Sequence, residues 1–151
     1  MTDGHPGGFD LDAFLPYLLN QAAEATSRGF AQVYRAEYGM TRTQWRVLAN
    51  LGRSGAMTAS DICRVSHVEK TKVSRAVAAL EERGFLARER HGADRRAETL
   101  SLRPEGRAAF ERLGMLALDY DRALRARLGP EAATLARVLR EMIAAGAEPG
   151  G

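Results

Sequence analysis

Apolar residues in this chain recur mostly at steps of three and four, the helical period, with one short stretch that alternates instead. The row Leu11, Phe14, Leu15, Leu18, Ala22, Ala25, Phe30, Val33, Tyr34 and Tyr38 predicts a long first helix, with a single gap of five across Gly29. Pro16 either kinks this helix or marks its real start, and Gly39 ends it. Thr41 and Gln44, three residues apart, form a capping box. It opens a second helix that carries Trp45, Leu48 and Leu51 on one face and closes across Gly52 to Gly55. Thr58 and Asp61 form a second box, which opens a short helix with Ile62, Cys63 and Val65. Ser66, His67 and Val68 read as a tight turn. The helix from Glu69 buries Val73, Val77 and Leu80 and stops at Gly84.

Beyond Gly84 the period changes. Phe85 to Arg88 and Thr99 to Leu102 read as the two arms of a β-hairpin, joined by a polar loop that ends Ala93-Asp94-Arg95-Arg96. Pro104 suits the first turn of a fifth helix, whose stripe runs Phe110, Leu113, Leu116 or Ala117, Tyr120, Leu124 and Leu128. Gly129-Pro130-Glu131 breaks it and starts a last helix with Leu135, Val138, Leu139, Met142 and Ile143 in register. Residues 1–10 and 146–151 are expected as flexible tails, with fraying from Ala145. No repeat and no long linker divides the rest, so residues 11–145 are expected to form one domain. The fold class is mostly α with a small β-hairpin wing. Two short helices joined by a turn, with a hairpin after them, make a winged helix-turn-helix.

Composition narrows the function. The chain has 151 residues, 45% of them hydrophobic, which suffices for a core, and no apolar run near 18 residues predicts a membrane span. The N-terminus lacks the basic start and apolar middle of a signal peptide. One cysteine excludes an internal disulfide and suits a reducing cytosol, so a cytoplasmic location is expected. The net charge of +3 says little, but its distribution says more. Seven arginines between Arg83 and Arg107 face four acids, and the only two lysines, Lys70 and Lys72, sit where the helix after the turn begins.

That helix directs Thr71, Lys72, Ser74 and Arg75 largely away from its apolar face. Short donors and cations on an exposed helix face suit a DNA major groove. Arg75 is the candidate for a guanine contact, and Lys70, Thr71, Lys72 and Ser74 are candidates for phosphates or base edges. At the hairpin tip Arg96 is read as entering the minor groove and Arg95 as a phosphate contact. Asp94 is read as supporting the wing by pairing with a nearby arginine, and Arg88 and Arg90 as plain surface. Cys63 is read as core packing in preference to a reactive thiol. His5, His67 and His91 show no ligand spacing, so no metal site is expected. No glycine-rich phosphate loop and no histidine–carboxylate set points to an enzyme or to a cofactor.

The apolar stripes of the terminal helices exceed what a small reading unit needs. Leu11, Phe14, Leu15, Leu18, Leu128, Leu135, Val138, Leu139, Met142 and Ile143 are therefore read as a dimer interface. Two-fold symmetry would double the DNA site.

At this point the chain resembles the MarR family of bacterial winged-helix regulators. The likeness is carried by Tyr38-Gly39-Met40-Thr41-Arg42-Thr43-Gln44-Trp45, by Thr71 to Val77 with Leu80-Glu81-Glu82-Arg83-Gly84-Phe85-Leu86, and by Asp94-Arg95-Arg96 in the wing. It spans about residues 11–145. The resemblance implies a DNA-binding winged helix at about 41–102 and dimerisation helices at 11–38 and 104–145. It further implies a triangular homodimer on palindromic operator DNA, usually a repressor, often released by a small aromatic or phenolic ligand. Tyr34, Tyr38, Trp45, Arg46 and Tyr120 are candidates to line an effector pocket, with plain core and hinge packing as the competing reading. Arg103 stands where the family usually has a threonine cap, and Ser66 where it usually has an apolar residue. No cysteine lies in the first helix, which separates the chain from peroxide-sensing members. Two alternatives remain open: a winged-helix adaptor that binds protein without DNA, and a thiol-sensing regulator acting through Cys63.

Overall fold

A computed structural model describes residues 7–93 and 98–147. After a short 3-10 turn at Leu11–Ala13, the elements are α1 (Leu15–Tyr38), α2 (Arg42–Ser54), α3 (Ala59–Ser66), α4 (Lys70–Glu82), β1 (Leu86–Glu89), β2 (Thr99–Leu102), α5 (Pro104–Leu128) and α6 (Glu131–Ala147). The chain falls into two compact units, one reaching to Leu113 and one from Gly114 onward. Among the described residues no helix is long and apolar enough to cross a membrane.

Local chemistry sets most of the boundaries. Pro16 lies in the first turn of α1, so it marks the start of the helix; Leu11 belongs to the separate 3-10 turn, which Asp10 caps. Gly39, at φ 63°, ends α1 in the left-handed conformation that glycine adopts without steric cost. Both capping boxes form. Thr41 Oγ1 accepts from the Gln44 amide at 3.2 Å, and Thr58 Oγ1 accepts from the Asp61 amide at 3.0 Å.

Three further boundaries differ from the sequence expectation. Helix α2 does not close at Gly52 but continues through Ser54, with Gly55 as its cap. Gly52 sits inside the helix because the Phe110 ring lies where its side chain would be. Ser66 belongs to α3, where its hydroxyl donates to the Ile62 carbonyl, and the turn begins at His67. The last helix runs through Ala147, so Ala145 is helical and not frayed.

The core of the first unit is built from α1 to α4, the base of the hairpin and the N-terminal part of α5. Val47, Leu48, Leu51, Ile62, Val73, Val77, Leu80, Leu86, Leu100 and Leu113 are almost wholly excluded from solvent. Tyr34 is equally buried. It stacks on Trp45 with centroids 6.0 Å apart, and Phe30 meets both rings edge-on. Cys63 is only half-buried, at the margin of this core.

The strands pair antiparallel, with Leu86 opposite Leu102 and Glu89 opposite Thr99. Met57, in the link between α2 and α3, adds a bridge to Leu100 through hydrogen bonds of 2.7 and 3.0 Å. A two-stranded ribbon is marginal by itself. Here Leu86 and Leu100 pin its base into the core.

In the second unit, Gly129 at φ 70° turns the chain between the end of α5 and α6. Ala132 is buried there, whereas Leu128, Leu135, Val138, Met142 and Ile143 are exposed.

Candidate nucleic-acid interface

Helix α4 places its side chains as the sequence predicts. Val73, Ala76, Val77 and Leu80 are buried, and Lys70, Thr71, Lys72, Ser74 and Arg75 all lie on the exposed side. The helix therefore offers solvent a row of donors and cations on a rigid, core-anchored rod. Its N-cap residue, Glu69, makes no side-chain capping bond, in contrast to Thr41 and Thr58. The first amides of α4 thus lack a side-chain partner at the cap. Open amides at a helix start, with the helix dipole behind them, favour an anion such as a phosphate.

The turn before α4 is made by His67, the one described non-glycine residue with positive φ, at φ 55°. It caps α3 in the left-handed region and redirects the chain into the reading helix. Glycine at φ 78°, at Gly84, releases the chain from the other end of α4 toward the hairpin.

The wing tip lies outside the described residues, and with it Asp94, Arg95 and Arg96. The wing base is described, and it corrects one sequence reading. Arg88 is not plain surface. Its Nε donates to both carboxylate oxygens of Glu81 at 3.1 Å, and its Nη1 donates to Glu98 at 3.1 Å. Glu98 also approaches Arg90 Nε at 3.9 Å. Partial burial opposes the charge of Arg88, but the bonds from Glu98 and Glu81 outweigh it and hold its pKa above the ordinary arginine value. Nothing in the linear sequence distinguishes Arg88 from its neighbours. Only the hairpin register, which sets Arg88 opposite Leu100 and brings Glu98 to the mouth of β2, reveals the cluster.

Between the wing base and the starts of α3 and α4 runs a groove of about 650 Å³. Thr58, Ser60 and Ser74 bring hydroxyls to it, and Lys70, Arg88 and Arg90 bring cations that outnumber the one carboxylate of the lining, Glu98. Such a lining suits a sugar–phosphate strand. Thr58 and Ser60 were not among the DNA-contact candidates read from the sequence. Their signal was the second capping box, which reads as a helix start and says nothing of a groove.

The candidate effector residues are distributed more widely. Tyr34 and Trp45 stack within the core, and Tyr38 meets the Phe85 ring edge-on at 6.0 Å. Arg46 is half-buried on α2. Tyr120 belongs to the second unit. Near the aromatic group, Arg42 makes a two-point ion pair with Glu24, at 2.9 and 3.1 Å. The Arg42 guanidinium holds the Glu24 carboxyl below its ordinary value.

Comparison with known proteins matches this geometry. The sequence model described as the MarR family fits residues 38–97, which cover α2 to the wing. The chain is 30% identical over 110 residues to the uncharacterised HTH-type transcriptional regulator YwoH of Bacillus subtilis, covering 73% of this chain and 79% of that protein. It superposes on the crystal structure of a MarR family transcriptional regulator from Silicibacter pomeroyi with a TM-score of 0.79 and 29% identity, over 91% of this chain and 98% of that one. BpsR of Bordetella bronchiseptica, whose DNA binding is regulated by 6-hydroxynicotinic acid, superposes with a TM-score of 0.75 and 26% identity, over 90% and 97% of the two chains.

Proposed function

The chain belongs to the MarR family of DNA-binding transcriptional regulators, not to an enzyme family, and from that premise we propose that it is a homodimeric repressor of palindromic operator DNA, released by a small aromatic ligand. The observation that carries the DNA reading is α4, a helix anchored by Val73, Val77 and Leu80 that presents Lys70, Thr71, Lys72, Ser74 and Arg75 to solvent. In this reading α4 enters the major groove. Arg75 donates to guanine, which is worth roughly 1–3 kcal/mol of discrimination for a two-point contact. Lys70, Thr71, Lys72 and Ser74 hold phosphates or base edges. Arg96 enters the minor groove, Arg95 holds a phosphate and Asp94 supports the wing.

The dimer reading is supported by apolar side chains left in solvent at both ends of the chain. Leu11, Phe14, Leu15 and Leu18 are exposed at the N-terminal end, and Leu128, Leu135, Val138, Met142 and Ile143 near the C-terminal end. Exposed apolar surface on this scale marks an interaction surface. We assign residues 11–38 and 104–145 to dimerisation and 41–102 to DNA. Paired reading helices then stand about one duplex turn apart, roughly 34 Å, to meet successive major grooves. A ligand releases the operator only by as much as it prefers the non-binding spacing. BpsR, which responds to an aromatic acid, supports that ligand class. Tyr34, Tyr38, Trp45 and Arg46 are the proposed lining.

The test is a gel shift of the purified protein on the DNA upstream of its own coding region, with excess nonspecific competitor. A discrete shift of dimer stoichiometry, lost on adding an aromatic acid, is expected. A folded protein that shifts no DNA at any salt concentration would overturn the reading in favour of a protein-binding adaptor. Arg75→Ala should relax sequence preference; a uniform loss on all sequences would make it a phosphate contact instead.

A further inference from the structure

What fixes the direction in which the wing leaves the reading helix? The two are joined in sequence only through Arg83, Gly84 and Phe85, and Gly84 sits at φ 78°. Leu86 and Leu100 anchor the base of the ribbon, but the strand positions beyond them toward the tip, Glu89 and Thr99, are not buried. Among the described residues, the ion pair that joins ribbon to helix is made by Arg88, which stands opposite Leu100, the last anchored position before the tip. Arg88 reaches Glu81 on α4 with Nε and Glu98 at the mouth of β2 with Nη1, all at 3.1 Å. Glu98 is well shielded, its side chain only 16% exposed, and its other oxygen faces Arg90 at 3.9 Å.

We propose that Arg88 is a positioning residue for DNA recognition: it locks the angle between the wing and α4 so that both meet the duplex in register. This rests on the DNA-binding reading above. The planar guanidinium suits the task. It presents donors in a fixed fork and engages two carboxylates in different directions, which a lysine ammonium on a flexible stem does not reproduce. Its Nε and Nη1 are held by Glu81 and Glu98, so the role proposed for Arg88 is orientation and not phosphate contact. Arg90, more exposed and loosely held, is left to face the groove. Exposed ion pairs contribute little to global stability. The main effect of Arg88 therefore lies in orientation, and its loss should lower the melting temperature only slightly.

Charge and position give opposite predictions, which makes the inference testable. Arg88→Lys keeps the charge and loses the fork. Specific operator affinity should fall roughly ten-fold, about the cost of one mismatched base pair, while the salt dependence of binding stays the same. Glu98→Gln makes the wing more positive, yet it should weaken operator binding as well. Wild-type affinity in Arg88→Lys, or tighter binding by Glu98→Gln, would overturn the proposal. A salt slope reduced by about one in Arg88→Ala would make Arg88 a phosphate contact and overturn it equally. A second measurement needs no DNA. Spin labels at Ala78→Cys and Glu89→Cys, in a Cys63→Ser background, report the distance between α4 and the wing. The distribution should broaden in Arg88→Lys. An unchanged distribution overturns the strut whether or not the protein binds DNA, whereas a wild-type protein that shifts no operator overturns the DNA reading alone.

Discussion

Gly106 lies directly against the carbonyl oxygen of Phe85, so close that a side chain at this position would collide with it. The same oxygen accepts a hydrogen bond from the Arg103 amide at 3.0 Å. The start of α5 is thus seated on the segment that leads from the reading helix into the wing. The clash is with backbone, which cannot swing aside as a side chain would. Gly106→Ala should therefore destabilise the protein by about 3 kcal/mol, at the upper end of ordinary overpacking. Thermal unfolding followed by circular dichroism should show a fall of about 6–12 °C. An unchanged melting temperature would show that α5 shifts away from Phe85 at no cost.

The contrast between Gly106 and Gly39 shows what the sequence could disclose. Gly39 ends a helix by its own backbone conformation, and the apolar row before it announces that end. The two capping boxes are equally local, since each needs only a residue and its third neighbour. Gly52 and Gly106 instead answer to Phe110 and Phe85, partners that the linear order does not reveal. Gly52 thus reads as a terminator although it is a packing site. The recognition face of α4 was legible because helical period alone separates Val73 and Val77 from Lys72 and Arg75. The wing-base cluster was not, because Glu81, Arg88 and Glu98 meet only when the hairpin folds back along the helix.

His67 holds a left-handed conformation, at φ 55° and ψ 36°, between α3 and α4. An L-residue with a Cβ pays roughly 1–2 kcal/mol there. Glycine removes that cost and gives part of it back through the greater entropy of its unfolded chain. His67→Gly should raise stability by about 0.5–1 kcal/mol, read from the midpoint of urea unfolding. A lower midpoint would mean that the imidazole makes a stabilising contact that outweighs the strain.

Asp61 sets an acid limit on the reading unit. Bonds from Thr58, and then from Arg64, hold its carboxyl below the ordinary value. A folded-state pKa below the unfolded one contributes stability that is present above the unfolded value, about 4, and is lost as pH falls through the folded value. Wild type should therefore unfold at a higher temperature than Asp61→Asn at pH 6, and the gap should close as the pH falls below about 4. A gap that persists at pH 3 would assign the difference to shape and not to charge.

The apolar face of α6 carries the sharpest prediction about assembly. Leu135, Val138 and Met142 recur at steps of three and four, and each is more than a third exposed. In a two-fold dimer every substitution on this face acts twice. Burying one such side chain contributes roughly 1.5–3 kcal/mol, so Leu135→Glu should cost about 3–6 kcal/mol per dimer before any charge penalty. That corresponds to a dimer dissociation constant raised by roughly a hundred-fold or more. Sedimentation equilibrium should find wild type dimeric at micromolar concentration and the variant monomeric. Operator affinity should fall with it, because a monomer holds one half-site only. A variant that stays dimeric would place the interface elsewhere, and the exposed row at Leu11, Phe14, Leu15 and Leu18 would be the next to substitute.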